Sequence, residues 1–370
     1  MTARAVPAVH QLVAGFRAGD AISSQALVLQ ALFRDLGYAS EIFTDRRRVP
    51  DQDRSRVADL DALRPAPGDT ALLHLSIGSP VNLRFARLPC RRLLLYHNIT
   101  PPAWFEGLSE STARELALGL EQAAELAGTV HRAFAVSAYN ARELEALGHR
   151  DVGVIPLWLD LSAHEARPDA RRLRRWSDGR LNLAFVGRVA PNKRFEDLLA
   201  AFYHVKRFVA PDARLLLVGA SNGLERYRDE LIAWARMLEI EDIAWLGSVS
   251  FQELLAVYRA ADVFLCLSEH EGFCAPLIEA MKNDVPVVAY AAAAVPETLD
   301  GAGILLREKR FDALAEIVAR LRTDAALRAA VLARQRERIA RYEAYDFRSA
   351  WRDAVAPDAS GDAVAPGSLR

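Results

Sequence analysis

The sequence predicts an α/β fold of two Rossmann-like domains, each built on a parallel sheet. Three observations carry this. Short leucine-rich or β-branched runs alternate with longer stretches of helical periodicity along nearly all of the 370 residues, which is the pattern of parallel strands with helices on both faces. That length suits two domains of ordinary size. A break in composition at residues 160–180 is followed by a restart of the same alternation.

In the first half, strands are predicted at residues 8–13, 39–43, 70–75, 92–96, 133–136 and 153–155, with helices at 22–36, 112–127 and 140–147. Gly37 closes the first helix, as a C-terminal glycine does. Residues 45–61 are charged and aperiodic, and read as a surface loop leading into a short helix. The break at 160–180 holds Pro168, the cluster Arg171, Arg172, Arg174 and Arg175, and then Ser177-Asp178-Gly179. It reads as an interdomain linker with a solvated face, in preference to a membrane or nucleic-acid patch. Strands resume at 181–186, 214–218, 243–246, 263–267, 285–289 and 303–306, separated by helices at 195–209, 224–238, 251–260 and 276–282 and followed by helices at 311–320 and 325–342. The expected domains are 1–165 and 180–340, with a helix within 341–354 crossing back to the first. The remainder, 355–370, is too poor in apolar residues to pack and is expected to be a mobile tail.

Composition narrows the function. Hydrophobic content of 51% and charged content of 26% are those of a globular protein, and a formal net charge of −1 supplies no field for nucleic acid. No apolar run reaches the length of a bilayer span, and no charged-then-apolar leader opens the chain, so a cytoplasmic location is expected. Cys90, Cys266 and Cys274 lack metal-ligand spacing and read as reduced thiols.

The chemistry is concentrated in Glu269-His270-Glu271-Gly272-Phe273-Cys274-Ala275-Pro276-Leu277-Ile278-Glu279. A buried strand ends just before this segment and a helix starts within it. Open backbone N–H groups at a helix start seat phosphate. A carboxylate before that seat, Glu271, and one two turns into the helix, Glu279, can hold the hydroxyls of a sugar and a ribose. A second signal is Phe185-Val186-Gly187-Arg188-Val189-Ala190-Pro191-Asn192-Lys193, directly after the first strand of the second half. Strand ends of this kind are where open α/β sheets bind ligands, and Arg188 and Lys193 offer a guanidinium fork and a compact ammonium to a phosphate.

Both motifs resemble those of the retaining glycosyltransferases of family 4, which have the GT-B fold of two Rossmann-like domains facing each other across a cleft. The resemblance covers the second half closely and the first half more loosely. It implies that Glu271 contacts a donor sugar, that Glu279 holds the nucleotide ribose, and that the backbone of Gly272, Phe273, Cys274 and Ala275 binds sugar and diphosphate. Gly187, Arg188 and Lys193 would clamp the diphosphate, and Leu246-Gly247 would receive the base. Cys274-Ala275 departs from the Gly-Leu pair of many members, and Trp158-Leu159 replaces a common Asn-Gly.

In the first half, the turn Gly15-Phe16-Arg17-Ala18-Gly19-Asp20 resembles the family's first loop; Asp20 also reads as the N-cap of the helix that follows. His97 ends an apolar strand, and the resemblance assigns it to the donor sugar or the leaving-group region. Asn98, His74 and residues 76–79 are softer candidates for acceptor contacts. Ser137 reads as a helix cap. Asp51, Asp53, Asp59 and Asp61 read as surface acids rather than a metal-binding Asp-x-Asp pair, since neither pair follows a buried strand.

The implied activity is metal-independent transfer of a sugar, mannose or a related hexose, from a GDP- or UDP-sugar to a glycan or lipid-linked glycan acceptor. No cofactor beyond the donor is implied, no nucleic-acid partner is expected, and a lipid-linked acceptor would bring peripheral contact with the inner face of the membrane. A phosphorylase or epimerase on the same fold, and a non-catalytic nucleotide-binding scaffold, remain alternatives at this point.

Overall fold

The computed structural model describes residues 6–356, so the tail expected at 355–370 falls outside the described residues from 357 on. The first sheet is formed by β1 (Val9–Val13), β2 (Ile42–Thr44), β3 (Ala58–Asp59), β4 (Thr70–Leu75), β5 (Arg91–Tyr96), β6 (Arg132–Ala135) and β7 (Gly153–Val154). The second is formed by β8 (Asn182–Val186), β9 (Arg214–Val218), β10 (Ile243–Gly247), β11 (Val263–Cys266), β12 (Val287–Tyr290) and β13 (Ile304–Leu306). Every strand pairing in both sheets is parallel, and the spatial orders are β3-β2-β1-β4-β5-β6-β7 and β10-β9-β8-β11-β12-β13.

Helices α1 (Ala21–Asp35), α2 (Pro80–Ala86), α3 (Glu110–Leu126) and α4 (Ala138–Ala146) accompany the first sheet. The second carries α5 (Ala170–Trp176), α6 (Phe195–Phe208), α7 (Glu225–Met237), α8 (Phe251–Ala260), α9 (Ala275–Lys282), α10 (Val295–Leu299), α11 (Phe311–Thr323) and α12 (Ala325–Glu343), and α13 (Phe347–Val355) ends the described chain. The central strands are buried on both faces: Leu93, Leu94 and Leu95 in β5, and Leu215, Leu216 and Leu217 in β9, are all shielded from solvent.

By contacts the chain divides into two compact units. Unit 1 comprises residues 1–103, 111–159 and 346–370; unit 2 comprises residues 104–110 and 160–345. Helix α13 packs within unit 1. Trp351 is fully buried with Phe33 and Phe134 at ring-centroid distances of 6.2 and 6.0 Å, Arg348 pairs with Asp35, and Arg91 donates to the Ala354 carbonyl at 3.1 Å. Trp158 joins this docking by stacking on Phe347 at 5.1 Å, while its backbone N–H donates to Gln25 Oε1 at 2.8 Å.

The stretch read as a linker is partly helical. In α5, Asp169 caps the start, Trp176 is buried, and Arg172 pairs with Glu253 at 2.5 Å, while Arg171, Arg174 and Arg175 stay exposed. Residues 45–61 are also more ordered than a loop: two 3-10 turns and β3 lie there, and Asp53 is 3% exposed with its carboxylate accepting from Ala18 N–H at 3.1 Å. The surface-acid reading of Asp53 is therefore corrected. It is a buried brace for the loop after β1.

Candidate functional site

In unit 2 the sheet order reverses between β8 and β11, and the loops leaving their C-terminal ends carry the predicted chemistry. The loop after β8 runs through Gly187 and Arg188 to a 3-10 turn at Pro191–Lys193. The loop after β11 runs from Leu267 to Cys274, where α9 begins. Asn192 ties the two together: its Nδ2–H donates to the His270 carbonyl at 3.0 Å, and its own carbonyl accepts from Glu269 N–H at 2.9 Å. That register sets Lys193, one residue on, against Glu271. Nζ lies 2.5 Å from Oε2, with side-chain exposures of 20% and 7%. Burial is the strongest single influence and works against the Lys193 ammonium, but the Glu271 charge and hydrogen bond together with the neighbouring Cys274 and Cys266 outweigh it and raise the lysine above its ordinary value.

A second ionic set anchors the same loop. Lys309 Nζ lies 2.5 Å from Asp197 and 2.6 Å from Glu269, and Arg194 approaches the same two carboxylates at 3.0 and 3.5 Å. On the far side, the Phe273 carbonyl accepts from the Thr298 hydroxyl and the Glu271 carbonyl from Ala294 N–H at 3.2 Å. The loop is thus held from both flanks before any ligand arrives.

Cys274 stands at the N-cap of α9 with φ 66° and ψ 63°, in the left-handed region, and makes no side-chain capping bond. Pro276 at the second helical position has no N–H and the Leu277 N–H donates to the Cys274 carbonyl at 3.0 Å, so the donor left without a partner among the described residues at this helix start is the Ala275 N–H, at the end where the helix dipole stabilises negative charge. Cys266 and Cys274 place their sulfurs 3.9 Å apart below this turn. Their ligand atoms and those of Glu271 lie within 4.8 Å of one another, and the cation held at that carboxylate is the Lys193 ammonium. Glu279, within α9, accepts from the Tyr258 hydroxyl at 2.7 Å. Burial raises its pKa above the ordinary glutamate value, against the lowering effect of that hydrogen bond.

Arg188 does not join the Lys193–Glu271 cluster. It is exposed and donates to the Asn222 carbonyl at 3.1 Å, on the loop after β9. The C-terminal strand ends approach closely here: Gly187 N–H donates to Val218 and Gly219 N–H to Gly247, each at 2.9 Å. A Cβ on Gly219 would sit 1.9 Å from the Gly187 carbonyl oxygen, so only a glycine fits. Leu246 and Gly247 end β10 beside that junction.

In unit 1, Gly19 has φ 88° and precedes Asp20, the N-cap of α1. The Asp20 oxygens are both engaged by Ser23, through N–H at 2.8 Å and the hydroxyl at 2.6 Å, so the capping reading is the one the geometry displays. Ser79 caps α2 and Ser137 caps α4. Asn98, with φ 86°, donates to Asn140 and Glu143 at 3.0 and 2.5 Å; like Ser79 it serves the scaffold rather than standing free for a ligand. His97 and His74 meet through ring nitrogens 2.9 Å apart. Sequence reasoning passed over Asn192, Lys309, Thr298 and Gln11. Asn192 sat inside a quoted motif and carried a usable signal; the other three act across long sequence separations and carried none.

Residues 167–338 match the family model described as glycosyl transferases group 1. The chain is 29% identical over 260 residues to a GDP-mannose-dependent alpha-mannosyltransferase of Mycolicibacterium smegmatis, covering 65% of this chain and 64% of that protein. It is 31% identical over 236 residues to a D-inositol 3-phosphate glycosyltransferase of Actinosynnema mirum, covering 60% and 57%. The matched stretch thus spans between 57% and 64% of these relatives' own length. Among solved structures, Anabaena Alr3699/HepE in complex with UDP and glucose matches with a TM-score of 0.72 at 17% identity, over 94% of this chain and 99% of that one. WaaG, a glycosyltransferase involved in lipopolysaccharide biosynthesis, matches with a TM-score of 0.71 at 13% identity, over 94% and 99%. At these identities the structural likeness speaks for the fold.

Proposed function

We propose, from a fold like that of the GT-B structures and the match of residues 167–338 to the family model of glycosyl transferases group 1, that the chain transfers a hexose, with retention, from a nucleoside-diphosphate sugar to a glycan or lipid-linked glycan acceptor. The observation that carries the proposal is the buried Lys193–Glu271 pair at the reversal point of the sheet, beside the uncapped start of α9. Breaking a sugar–phosphate bond drives negative charge onto the departing diphosphate. An ammonium and the Ala275 N–H at the helix start, fixed beforehand, stabilise that charge as it develops. Arg188 adds an exposed guanidinium, held on the Asn222 carbonyl, at the rim of the same edge.

Glu271, held by Lys193, accepts from sugar hydroxyls and positions the ring; it forms no covalent bond. Glu279, braced by Tyr258, takes the ribose hydroxyls through Oε1, which has no partner among the described residues. In unit 1, His97 is assigned to the donor sugar or leaving group. The acceptor attacks from the face the diphosphate leaves, and a diphosphate oxygen receives its proton. No protein nucleophile enters this scheme, and Lys193 supplies the positive charge it needs without a divalent ion.

The name of the mycolicibacterial relative makes GDP-mannose the first donor to try, and the ligands named with HepE make UDP-glucose the second. The test is calorimetric binding of GDP, UDP, ADP and dTDP to the wild-type chain and to Arg188→Ala, each with and without excess chelator. Selective binding of one diphosphate, indifferent to chelator and weakened by the substitution, is the expected result. Binding of none of the four would sink the transferase reading in favour of a scaffold or a phosphorylase. Binding restored only by a divalent ion would sink its metal-independent form.

A further inference from the structure

Beneath His97 lies a buried chain of side chains in unit 1, and its hydrogen-bond polarity can be worked out from one end. Gln11 on β1 and His74 on β4 are both fully shielded from solvent, and the two strands are direct neighbours in the sheet. The chain starts at the Ala26 carbonyl in α1, a group that can only accept. Gln11 Nε2 lies 2.9 Å from it and must donate. The amide oxygen of Gln11 therefore points the other way, where His74 Nε2 lies 2.9 Å off. That nitrogen must carry a hydrogen. Burial depresses the pKa of His74 to about 3, and burial together with its neighbour His74 depresses that of His97 well below the ordinary value, so both rings are neutral near pH 7.

A neutral His74 protonated at Nε2 has a bare lone pair at Nδ1. His97 Nε2 lies 2.9 Å from that lone pair and so must be the donor. Ring geometry agrees: the centroids are 5.1 Å apart with the planes only 17° from parallel. That separation matches two rings meeting edge to edge along an N–H···N line. The single hydrogen of His97 is thus spent inward. Its Nδ1, on a half-buried ring at the end of β5, has no partner among the described residues.

We infer that Gln11 and His74 are positioning residues that lock His97 as the Nε2–H tautomer, so that its free Nδ1 is a hydrogen-bond acceptor for a substrate hydroxyl. The assignment of that hydroxyl to a sugar rests on the transferase reading above; the tautomer does not. It also decides between the two places proposed for His97. A neutral ring offering a lone pair cannot serve an anionic phosphate oxygen, which needs a donor, whereas it suits a hydroxyl that must itself donate.

The test is a long-range 1H–15N correlation spectrum of the full chain labelled with [15N]histidine, taken at pH 7, with signals assigned by His97→Gln and His74→Gln. The expected result is a protonated Nε2 and a bare Nδ1 for both residues. A His97 protonated at Nδ1, or doubly protonated, overturns the inference even in an active enzyme. A second variant tests the consequence. Gln11→Glu places a carboxylate on His74, favouring its imidazolium, whose Nδ1–H would then donate to His97 Nε2 and drive the His97 hydrogen out to Nδ1. With the tautomer so reversed, kcat/KM for whichever of GDP-mannose and UDP-glucose is turned over should fall about tenfold, the worth of one lost hydrogen bond. A reversed tautomer with unchanged kcat/KM overturns the acceptor role of Nδ1, because a hydroxyl can equally accept from Nδ1–H. Because the wild-type spectrum needs no donor and does not depend on Gln11→Glu, it remains decisive if the transferase reading fails or if that variant does not fold.

Discussion

Lys193 and Glu271 pose a problem that single substitutions cannot solve. Their contact is 2.5 Å and mostly out of water, so removing either partner strands a buried charge and costs about 3–5 kcal/mol of stability, whatever the pair does in catalysis. A loss of activity in Lys193→Ala would therefore be ambiguous. The double variant Lys193→Met with Glu271→Gln separates the two effects, because neither side then carries a charge and the volumes are nearly kept. Lys193→Ala is expected to lose both stability and at least about a hundredfold in kcat, the size typical of removing one preorganised donor to a developing anion. The double variant should recover most of the stability and none of the turnover. Thermal denaturation alongside steady-state kinetics reads both quantities. Turnover near wild type in the double variant would mean that the leaving group is stabilised elsewhere.

Among the elements, α13 has the clearest energetic role, since it closes unit 1 with Trp351 set between Phe33 and Phe134. The indole is fully buried and its N–H has no hydrogen-bond partner among the described residues. Trp351→Ala should cost about 3–5 kcal/mol by leaving a large cavity. Trp351→Phe should cost distinctly less, because the smaller cavity is offset in part by removal of an unpaired polar hydrogen. Urea denaturation of the two variants checks the order, and equal losses would show that the aromatic packing is not what holds the helix. The long elements were legible in the chain for a physical reason: a strand buried on both faces writes itself as an apolar run, and β4 and β9 lie where their runs do. Short elements were not. Helices α2, α5 and α10 span only 7, 7 and 5 residues, too few turns for a 3.6-residue period to show, and in α5 the arginines mask the single buried Trp176. The candidate site divides in the same way. Arg188, Lys193, Glu271 and Glu279 were visible because strand end, turn and helix start are contiguous. Lys309 meets Glu269 across 40 residues, and Gln11 meets His74 across 63; no local pattern encodes such pairings.

Taken as a whole, the molecule distributes its buried titratable groups unevenly, and this predicts how it responds to acid. Burial is the leading cause that lowers the pKa of His10, His74, His97 and His149 in unit 1, with His74 reaching about 3, and of His164 in unit 2, which falls to about 4. A histidine depressed in the folded state binds its proton first in the unfolded one. Its contribution to stability is intact above the unfolded value near pH 6.5 and is lost as pH falls toward the folded value, at up to about 1.4 kcal/mol per pH unit for each group. Raised carboxylates act with the opposite sign, because the folded state takes up their proton first; burial raises Asp20 in unit 1 and Glu279 in unit 2. Unit 1 therefore has four depressed histidines against one raised carboxylate, while unit 2 has one against one. Acidification from pH 7 to pH 5 should weaken both units, and unit 1 more than unit 2. Urea titrations at the two pH values, read peptide by peptide by hydrogen exchange, would follow β4 and β5 separately from β8 and β11. Equal loss in both units would mean that the histidines of unit 1 are not held neutral by burial. The tautomer lock on His97 would then lose its premise as well, since it requires two uncharged rings.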